Sequence, residues 1–182
     1  MSKLKLAVNS NDHHLGNVNA TITLVEYGDF QCPHCKHAHP LIKRLLKDRS
    51  NDLHFVFRNF PLTEVHPQAY TAAITAETAG KQDKFWEMHD LIFENQDKLD
   101  TKFLLSLADN IGLNMKQFAK DFKSEELQKK IETDFESGIR SGVNGTPTFF
   151  INGNKLLTYD ETYESLSDAV LLELEMKQDK LI

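Results

Sequence analysis

The two cysteines of the chain, Cys32 and Cys35, are separated by only two residues. A disulfide that holds a fold together usually closes a long loop, because it acts mainly by restricting the unfolded chain, and a pair this close restricts very little. The pair also lies where a stretch rich in β-branched residues, 21–27, gives way to a helical pattern. The chain must therefore fold with a strand–helix junction, and the pair placed there is expected to be chemically active.

The segments on either side of this junction predict a β–α–β unit. Residues 21–27 and 53–59 are typical of strands because they are rich in β-branched and aromatic residues. The connection in such a unit is right-handed by default. Between the two segments, apolar residues recur with the spacing of one helix face, at Ala38, Leu41, Ile42 and Leu45.

Residues 66–142 carry helical patterns throughout. Asp100 or Thr101, and further along Ser124, are candidate N-caps, since short polar side chains accept hydrogen bonds from the first free amides of a helix. Five apolar stripes with helical spacing follow one another in this region, and they begin at Ala69, Phe85, Phe103, Met115 and Leu127.

Strand patterns return after the helical region. Residues 146–152 predict a strand, Asn152-Gly153 predicts a two-residue hairpin turn, and residues 155–159 predict the returning strand. A last helix follows, with apolar positions at Tyr163, Leu166, Val170 and Leu174. The order of elements predicts an α/β protein in which a small mixed sheet is flanked by helices and interrupted by an all-helical subdomain.

Charge and hydropathy exclude two classes of function. The net charge of −6 argues against a nucleic-acid binder, which needs a basic face to neutralise phosphates. No apolar run is long enough to span a membrane. The apolar stretch 4–8 is short and is interrupted by Lys5, so no signal peptide is expected. The sequence as it stands predicts a cytoplasmic protein, or a periplasmic or otherwise extracytoplasmic one if a leader has been removed.

The residues around the cysteines suit thiol–disulfide exchange. A helix N-terminus stabilises a thiolate through its free amides and its dipole, and Pro33 fits the first helical turn because its missing N–H is not needed there. Cys32 is the expected nucleophile, and Cys35, one turn into the helix, is the expected resolving thiol. A cationic His34 would stabilise the Cys32 thiolate further and make the disulfide more oxidising.

A zinc site is the main chemical alternative. Cys32 and Cys35 could share a metal with His37 or His39, but structural zinc sites normally take two further ligands from a second loop. The chain has no second cysteine pair. We therefore expect neither a metal nor a cofactor, and we expect His37 and His39 to be solvated residues of the helix.

The motif Cys32-Pro33-His34-Cys35 resembles the active site of DsbA-like proteins in the thioredoxin superfamily. The resemblance extends over residues 12–175 and is closest to a bacterial subfamily that has Asp-His-x-x-Gly before the first strand. It implies a thioredoxin fold, with residues 12–61 and 143–179 in the thioredoxin-like domain and residues 62–142 as the helical insert. The other segments that carry it are 25–30, 57–61, 85–89 and 141–153, together with Pro40 as the kinking proline of the helix.

The resemblance also implies roles for three residues outside the cysteine motif. Pro147 matches the cis-proline that faces the active site, and the backbone of Thr146 beside it would pair with an extended substrate segment. Glu26 matches a buried acidic residue that takes or gives the proton of Cys35; Asp29 is a weaker candidate for this role. Thr146 departs from the strongly oxidising members, which carry an apolar residue there, and is more typical of isomerase and reductase relatives.

These observations predict an enzyme that exchanges disulfides with protein or peptide substrates and is recycled by a redox partner. The alternative is a chaperone-like module that binds unfolded chains and has secondary redox activity. Glutathione-dependent isomerases with a helical insert are disfavoured, because they usually keep a single active-site Cys or Ser. We expect a monomer, since no dimerisation segment is recognisable. We also expect the insert 62–142 to form a wall of the substrate groove, with Phe85, Trp86, Phe103 and Phe118 mostly in the insert's own core.

Overall fold

A computed structural model describes residues 2–179 of the chain. It contains one five-stranded sheet with the strand order β1-β3-β2-β4-β5. The strands are β1 (His13–Gly16), β2 (Ile22–Gly28), β3 (Leu53–Asn59), β4 (Thr148–Ile151) and β5 (Asn154–Lys155). The helices are α1 (Pro33–Asp48), α2 (Ala69–Gly80), α3 (Phe85–Glu94), α4 (Thr101–Asn110), α5 (Met115–Asp121), α6 (Glu125–Ser141) and α7 (Tyr163–Gln178), with a 3₁₀ turn at Gln96–Lys98.

The central strand β2 determines where the active pair lies. It runs parallel to β3 on one side and antiparallel to β4 on the other. Its residues are almost all buried, which explains why the strand is rich in apolar residues without strict alternation. Helix α1 begins five residues after β2, so Cys32 lies at the carboxyl end of the central strand, and the predicted β–α–β unit of β2, α1 and β3 is confirmed.

Two details of the predicted sheet are wrong. The short strand β1, which pairs antiparallel with β3, was not recognised, because His13-His14-Leu15-Gly16 has no β-branched residue. The predicted returning strand 155–159 is also too long, since β5 ends at Lys155. Beyond Leu156 the chain leaves the sheet edge, and the Tyr159 ring packs against Phe149 with the ring centres 4.8 Å apart.

The five predicted helices of residues 66–142 are confirmed as α2 to α6. Asp100 caps α4 and accepts a hydrogen bond from the Phe103 amide at 2.9 Å. Ser124 occupies the N-cap position of α6, but its side chain makes no capping hydrogen bond. No helix within residues 2–179 has the length and apolar character needed to cross a membrane.

The packing of α3 corrects the predicted core of the insert. Phe85 packs against Phe57 of the sheet, with ring centres 6.2 Å apart, and Trp86 packs against Phe55 at 5.9 Å. The Trp86 indole also donates a hydrogen bond to the carbonyl of His14 at 2.9 Å. Both aromatic side chains therefore join the insert to the sheet, because α3 lies across it. The division into domains 12–61 plus 143–179 and 62–142 stays a prediction from chain order.

The Asp-His-x-x-Gly motif fixes the first strand to the rest of the fold. The Asp12 carboxylate accepts two hydrogen bonds of 2.8 Å from the buried guanidinium of Arg58, and His13 lies 2.9 Å from Glu77 of α2. Gly16 has a φ of +81°, and a Cβ there would lie 2.5 Å from the carbonyl oxygen of Leu53. Glycine is therefore required at this position by both the backbone conformation and the close approach of β3.

Candidate active site

Helix α1 presents the cysteines as the sequence pattern predicts. Cys32 is the N-cap residue and Pro33 is the first helical residue, and the backbone amides of His34 and Cys35 in the first turn interact with the Cys32 sulfur. Both cysteines are free thiols, with Cys32 4 % exposed and Cys35 fully buried. The difference in exposure fits an attacking thiol at position 32 and a resolving thiol at position 35. Pro40 lies inside the same helix.

The loop before β4 lies directly against the Cys32 sulfur. The Thr146–Pro147 peptide bond is cis, and the Cys32 Sγ lies 3.2 Å from the carbonyl oxygen of Thr146. Because β4 is antiparallel to β2, its beginning lies beside the end of β2, where α1 starts. A groove of about 420 Å³ runs along this loop, and it is lined by His34, residues 144–148 and residues 159–161. We call it the Pro147 groove.

The two thiols differ strongly in acidity. A hydrogen bond from Cys35 is the largest cause that lowers the pKa of Cys32, to about 5. Burial opposes this shift, while a contact with Thr146 and the backbone amides of Cys35 and His34 add to it. Burial raises the pKa of the Cys35 thiol well above its usual value, and its hydrogen bond to Cys32 raises it further. At neutral pH the site therefore holds one thiolate and one thiol.

Glu26 lies in β2 beneath the cysteines and is 3 % exposed. In the sheet register it stands between Phe57 of β3 and Phe149 of β4. Burial raises its pKa to about 8, and the negative charge of Cys32 adds to that shift. A carboxyl with a pKa near 8 exchanges a proton easily at physiological pH, which is the property the sequence resemblance requires of it.

Asp29, the weaker candidate for the proton-transfer role, has a different position. Its Oδ2 accepts hydrogen bonds of 2.8 Å from the Leu62 amide and from the His66 ring, and Oδ1 accepts one of 2.7 Å from the Gln31 amide. The Asp29 carboxylate therefore joins the active-site segment to the start of the insert. The Gln31 side chain adds a further link, since its Oε1 accepts from the Gln68 amide at 2.6 Å.

The three histidines near the motif have separate environments. The His34 ring is half-exposed, and its Nδ1 lies 2.7 Å from Oε1 of Glu161. His37 is exposed, as predicted, and hydrogen-bonds the backbone carbonyl of Glu161 at 2.8 Å. The prediction of a solvated His39 is wrong, because its side chain is only 9 % exposed and lies 2.8 Å from Asp90. Helix α3, which covers this face of α1, buries it.

His39 also bears on the zinc alternative. Within residues 2–179, one group of at least three side chains has its metal-ligating atoms within reach of one another, and it consists of His39, His89 and Asp90. Neither cysteine belongs to this group. The Lys43 ammonium lies 2.6 Å from the Asp90 carboxylate and supplies a positive charge there. His39, one of the two histidines considered as a third ligand for the cysteines, therefore belongs to a different cluster.

Gln96 is a site residue that the sequence analysis missed. It begins the 3₁₀ turn between α3 and α4, and its side-chain amide donates hydrogen bonds to the carbonyls of Phe30 at 2.9 Å and Cys32 at 2.8 Å. The insert therefore holds the backbone of the nucleophile directly. No signal in the sequence marks this role, because a polar residue between two helices is common on any protein surface.

The sequence of the chain matches one protein-family model. The model of the family described as thioredoxin matches residues 8–170. The chain belongs to the thioredoxin family. The predicted thioredoxin fold is thereby confirmed.

Solved structures place this thioredoxin-family chain among DsbA-type folds. Alpha-DsbA1 from Wolbachia pipientis superposes with a TM-score of 0.82 at 22 % identity, over 97 % of this chain and 98 % of the other. The thiol-disulfide exchange protein alpha-DsbA2 from the same organism gives a TM-score of 0.77 at 21 % identity, over 90 % and 88 %. At this level of identity the likeness concerns the fold, so it confirms that the predicted resemblance to DsbA-like proteins holds for the fold.

Sequence relatives include a much longer protein. The Na(+)/H(+) antiporter NhaA 1 from Salinispora arenicola is 43 % identical over 161 residues, which are 87 % of this chain and 24 % of that protein. The thioredoxin-family chain thus spans about a quarter of the length of this curated relative. The antiporter activity in the name of this relative concerns that protein as a whole.

Replacing Gln96 by Ala should destabilise the protein by about 2 kcal/mol, because two hydrogen bonds to partly buried carbonyls are lost at about 1 kcal/mol each. Urea denaturation of the reduced protein measures the change. Gln128→Ala on the exposed face of α6 is the matched control and should change stability by less than about 0.5 kcal/mol. Equal stabilities of the two variants would contradict the assigned role of Gln96 in holding the backbone of Cys32.

Proposed function

We propose that this thioredoxin-family chain exchanges disulfides with protein or peptide substrates through Cys32 and Cys35. The polarised pair carries the proposal: Cys32 is acidic enough to be a thiolate at neutral pH, and Cys35 stays protonated beside it. The Cys32 thiolate attacks one sulfur of a substrate disulfide, forms a mixed disulfide and releases the other substrate sulfur as a thiolate. Cys35 then attacks Cys32, which releases the second substrate sulfur and leaves the Cys32–Cys35 disulfide.

Glu26 is proposed to handle the proton of this second step. Cys35 is fully buried and must lose its proton before it attacks. Glu26 is buried in the same region, and the two groups influence each other, since the negative charge of Glu26 contributes to the raised pKa of Cys35. The Glu26 carboxylate accepts the proton during substrate reduction and returns it in the opposite direction. His34, whose backbone amide helps to lower the pKa of Cys32, completes the set of polar groups around the thiolate.

The substrate is proposed to bind in the Pro147 groove as an extended segment. The loop of residues 144–147 belongs to no strand, so its backbone is available for pairing with another chain. The Thr146 carbonyl lies 3.2 Å from the Cys32 sulfur, and a segment that pairs there is brought to the nucleophile. A structural relative, alpha-DsbA2 of Wolbachia pipientis, is described as a thiol-disulfide exchange protein, which supports this assignment.

The compartment and the recycling partner are proposed to set the direction of exchange. A thiolate with a low pKa stabilises the dithiol relative to the disulfide, so the pair stays reduced in a cytoplasmic glutathione pool and acts there as a reductant. In an oxidising envelope the same pair donates its disulfide. Each reaction cycle needs a partner that restores the starting state, and the chain is proposed to act as a monomer.

Insulin reduction with dithiothreitol as the recycling thiol tests the proposed function. Wild-type protein should accelerate the reduction, and Cys32→Ser should reduce the turnover to the uncatalysed rate, because the attacking sulfur is gone. Cys35→Ser should instead accumulate a mixed disulfide at Cys32 that mass spectrometry detects. Turnover that survives Cys32→Ser would contradict the proposal. Suppression of insulin aggregation by Cys32→Ser, without turnover, would favour the chaperone-like alternative.

A further inference from the structure

The loop that follows β5 contacts the active-site helix α1 through Glu161. Its carboxylate pairs with the His34 ring, and its backbone carbonyl accepts a hydrogen bond from His37, one turn further along α1. Glu161 also adopts a φ of +69°, in the left-handed region that non-glycine residues rarely occupy. A strained backbone conformation persists only where surrounding contacts hold it, and here both contacts come from α1. Glu161 is therefore held in a defined place.

That place is the edge of the Pro147 groove. Glu161 and its neighbour Asp160 line the groove together with the loop of residues 144–148. Both acidic residues are exposed, and the Asp160 side chain accepts hydrogen bonds from the amide and the hydroxyl of Thr162 at the start of α7. Among the residues that line the groove, His34 is the single side chain that can carry a positive charge.

We propose that Glu161 is a specificity-determining residue of the exchange reaction and favours substrates with a basic side chain next to the reacting cysteine. The inference rests on the proposed function, because it assumes that the substrate occupies the Pro147 groove. A segment paired with Thr146 passes between this loop and residues 159–161. A lysine or arginine of that segment replaces His34 as the partner of Glu161, whereas an acidic side chain meets two carboxylates and is repelled.

Two dithiol peptides that differ at one position test this inference. Each has two cysteines, and the residue beside the first is Lys in one peptide and Glu in the other. Oxidised protein is mixed with each peptide, and the loss of the Cys32–Cys35 disulfide is followed by acid quench and mass spectrometry. A peptide thiolate attacks Cys32, Cys35 leaves as a thiolate, and the second peptide thiol releases Cys32 as a peptide disulfide forms. The rates at which the two peptides react with oxidised glutathione, in the absence of the protein, correct for the intrinsic reactivity of the peptides.

Wild-type protein should react at least threefold faster with the Lys peptide after this correction, and the preference should fall in 1 M salt, because the carboxylates are exposed. Glu161→Gln should bring the ratio close to one. Glu161→Gly should do the same, since it removes the carboxylate at a position whose φ glycine adopts easily. Glu164→Gln, in the exposed first turn of α7 and outside the groove, should keep the wild-type ratio.

The outcomes separate this inference from the proposed function. A wild-type ratio of one or less, or an unchanged ratio in both Glu161 variants, would overturn the role of Glu161 while exchange itself remains. The absence of reaction with either peptide in the wild-type protein would overturn the proposed function instead. Circular dichroism melts of the Glu161 variants show whether they are folded. A loss of the preference in folded variants that still oxidise both peptides supports the inference.

Discussion

Titration of the reduced protein should show the Cys32 thiolate forming near pH 5, about four units below the usual thiol value of 9.0. The hydrogen bond from Cys35 is the largest cause, and the helix amides of His34 and Cys35 contribute as well. Thiolate absorbance in the ultraviolet measures the transition. Because the thiolate exists only in the reduced state, the same interactions stabilise the dithiol relative to the disulfide.

The pH dependence of stability follows from the lowered pKa. In the unfolded chain the thiol ionises near pH 9, so Cys32 contributes its full stabilisation to the folded reduced state above that pH. The gain is lost as the pH falls from 9 to 5, by about 1.4 kcal/mol per unit and about 5 kcal/mol in total. At pH 7 about 3 kcal/mol remains, which corresponds to about 60 mV of additional oxidising strength. The oxidised protein should lack this contribution of Cys32.

Two variants test whether the transition near pH 5 belongs to Cys32 and whether Cys35 causes the low pKa. Cys32→Ser should abolish the transition near pH 5. Cys35→Ala should move it upward, because the thiol that donates to the Cys32 sulfur is removed while the helix amides remain. A transition near pH 9 in the wild-type protein, or an unchanged midpoint in Cys35→Ala, would contradict the assigned cause.

Replacing Glu26 by Gln should remove a pH-dependent loss of stability in the reduced protein that reaches about 5 kcal/mol above pH 8. The carboxyl has a pKa of about 8 in the folded state, because it is buried and lies near the Cys32 thiolate, against an ordinary value of 4.5. Below pH 4.5 the carboxyl is protonated in both the folded and the unfolded chain. Between 4.5 and 8 the unfolded chain has released the proton and the folded chain has not, so each pH unit costs about 1.4 kcal/mol of stability. The glutamine amide of the variant does not titrate, so the stability of the variant does not fall in this pH range for this reason.

Urea denaturation of both forms between pH 4 and 9 measures the effect. The advantage of Glu26→Gln should grow with pH and be smaller in the oxidised protein, where the Cys32 thiolate no longer repels the carboxylate. Its insulin reduction should slow, because Cys35 loses its proton acceptor. Glu136→Gln, on the exposed face of α6, is the matched control and should follow the wild-type pH profile. A pH-independent difference between Glu26→Gln and the wild type would show that the carboxyl is not titrating in this range.

The sequence alone determined the elements that depend on local patterns. The strand–helix junction at Cys32 and Pro33, the helix stripes of residues 66–142 and the strand signals of β2, β3 and β4 follow from side-chain periodicity, capping and helix-terminus chemistry, which act within a few residues. The positions of Glu26 and Pro147 came from the family resemblance, and the tertiary structure added the environment that raises the Glu26 pKa.

Tertiary structure alone decided which distant residues meet at the site. Gln96 reaches the carbonyl of Cys32, Glu161 pairs with His34, and His39 is buried against Asp90. Each of these contacts joins residues more than 50 positions apart in the chain, and no local pattern encodes such a pairing. They form because the sheet register, the placement of α3 over α1 and the early end of β5 bring those segments together. Long-range packing therefore determined the surroundings of Cys32 and Cys35, whereas their reactivity could be predicted from their position at the helix N-terminus.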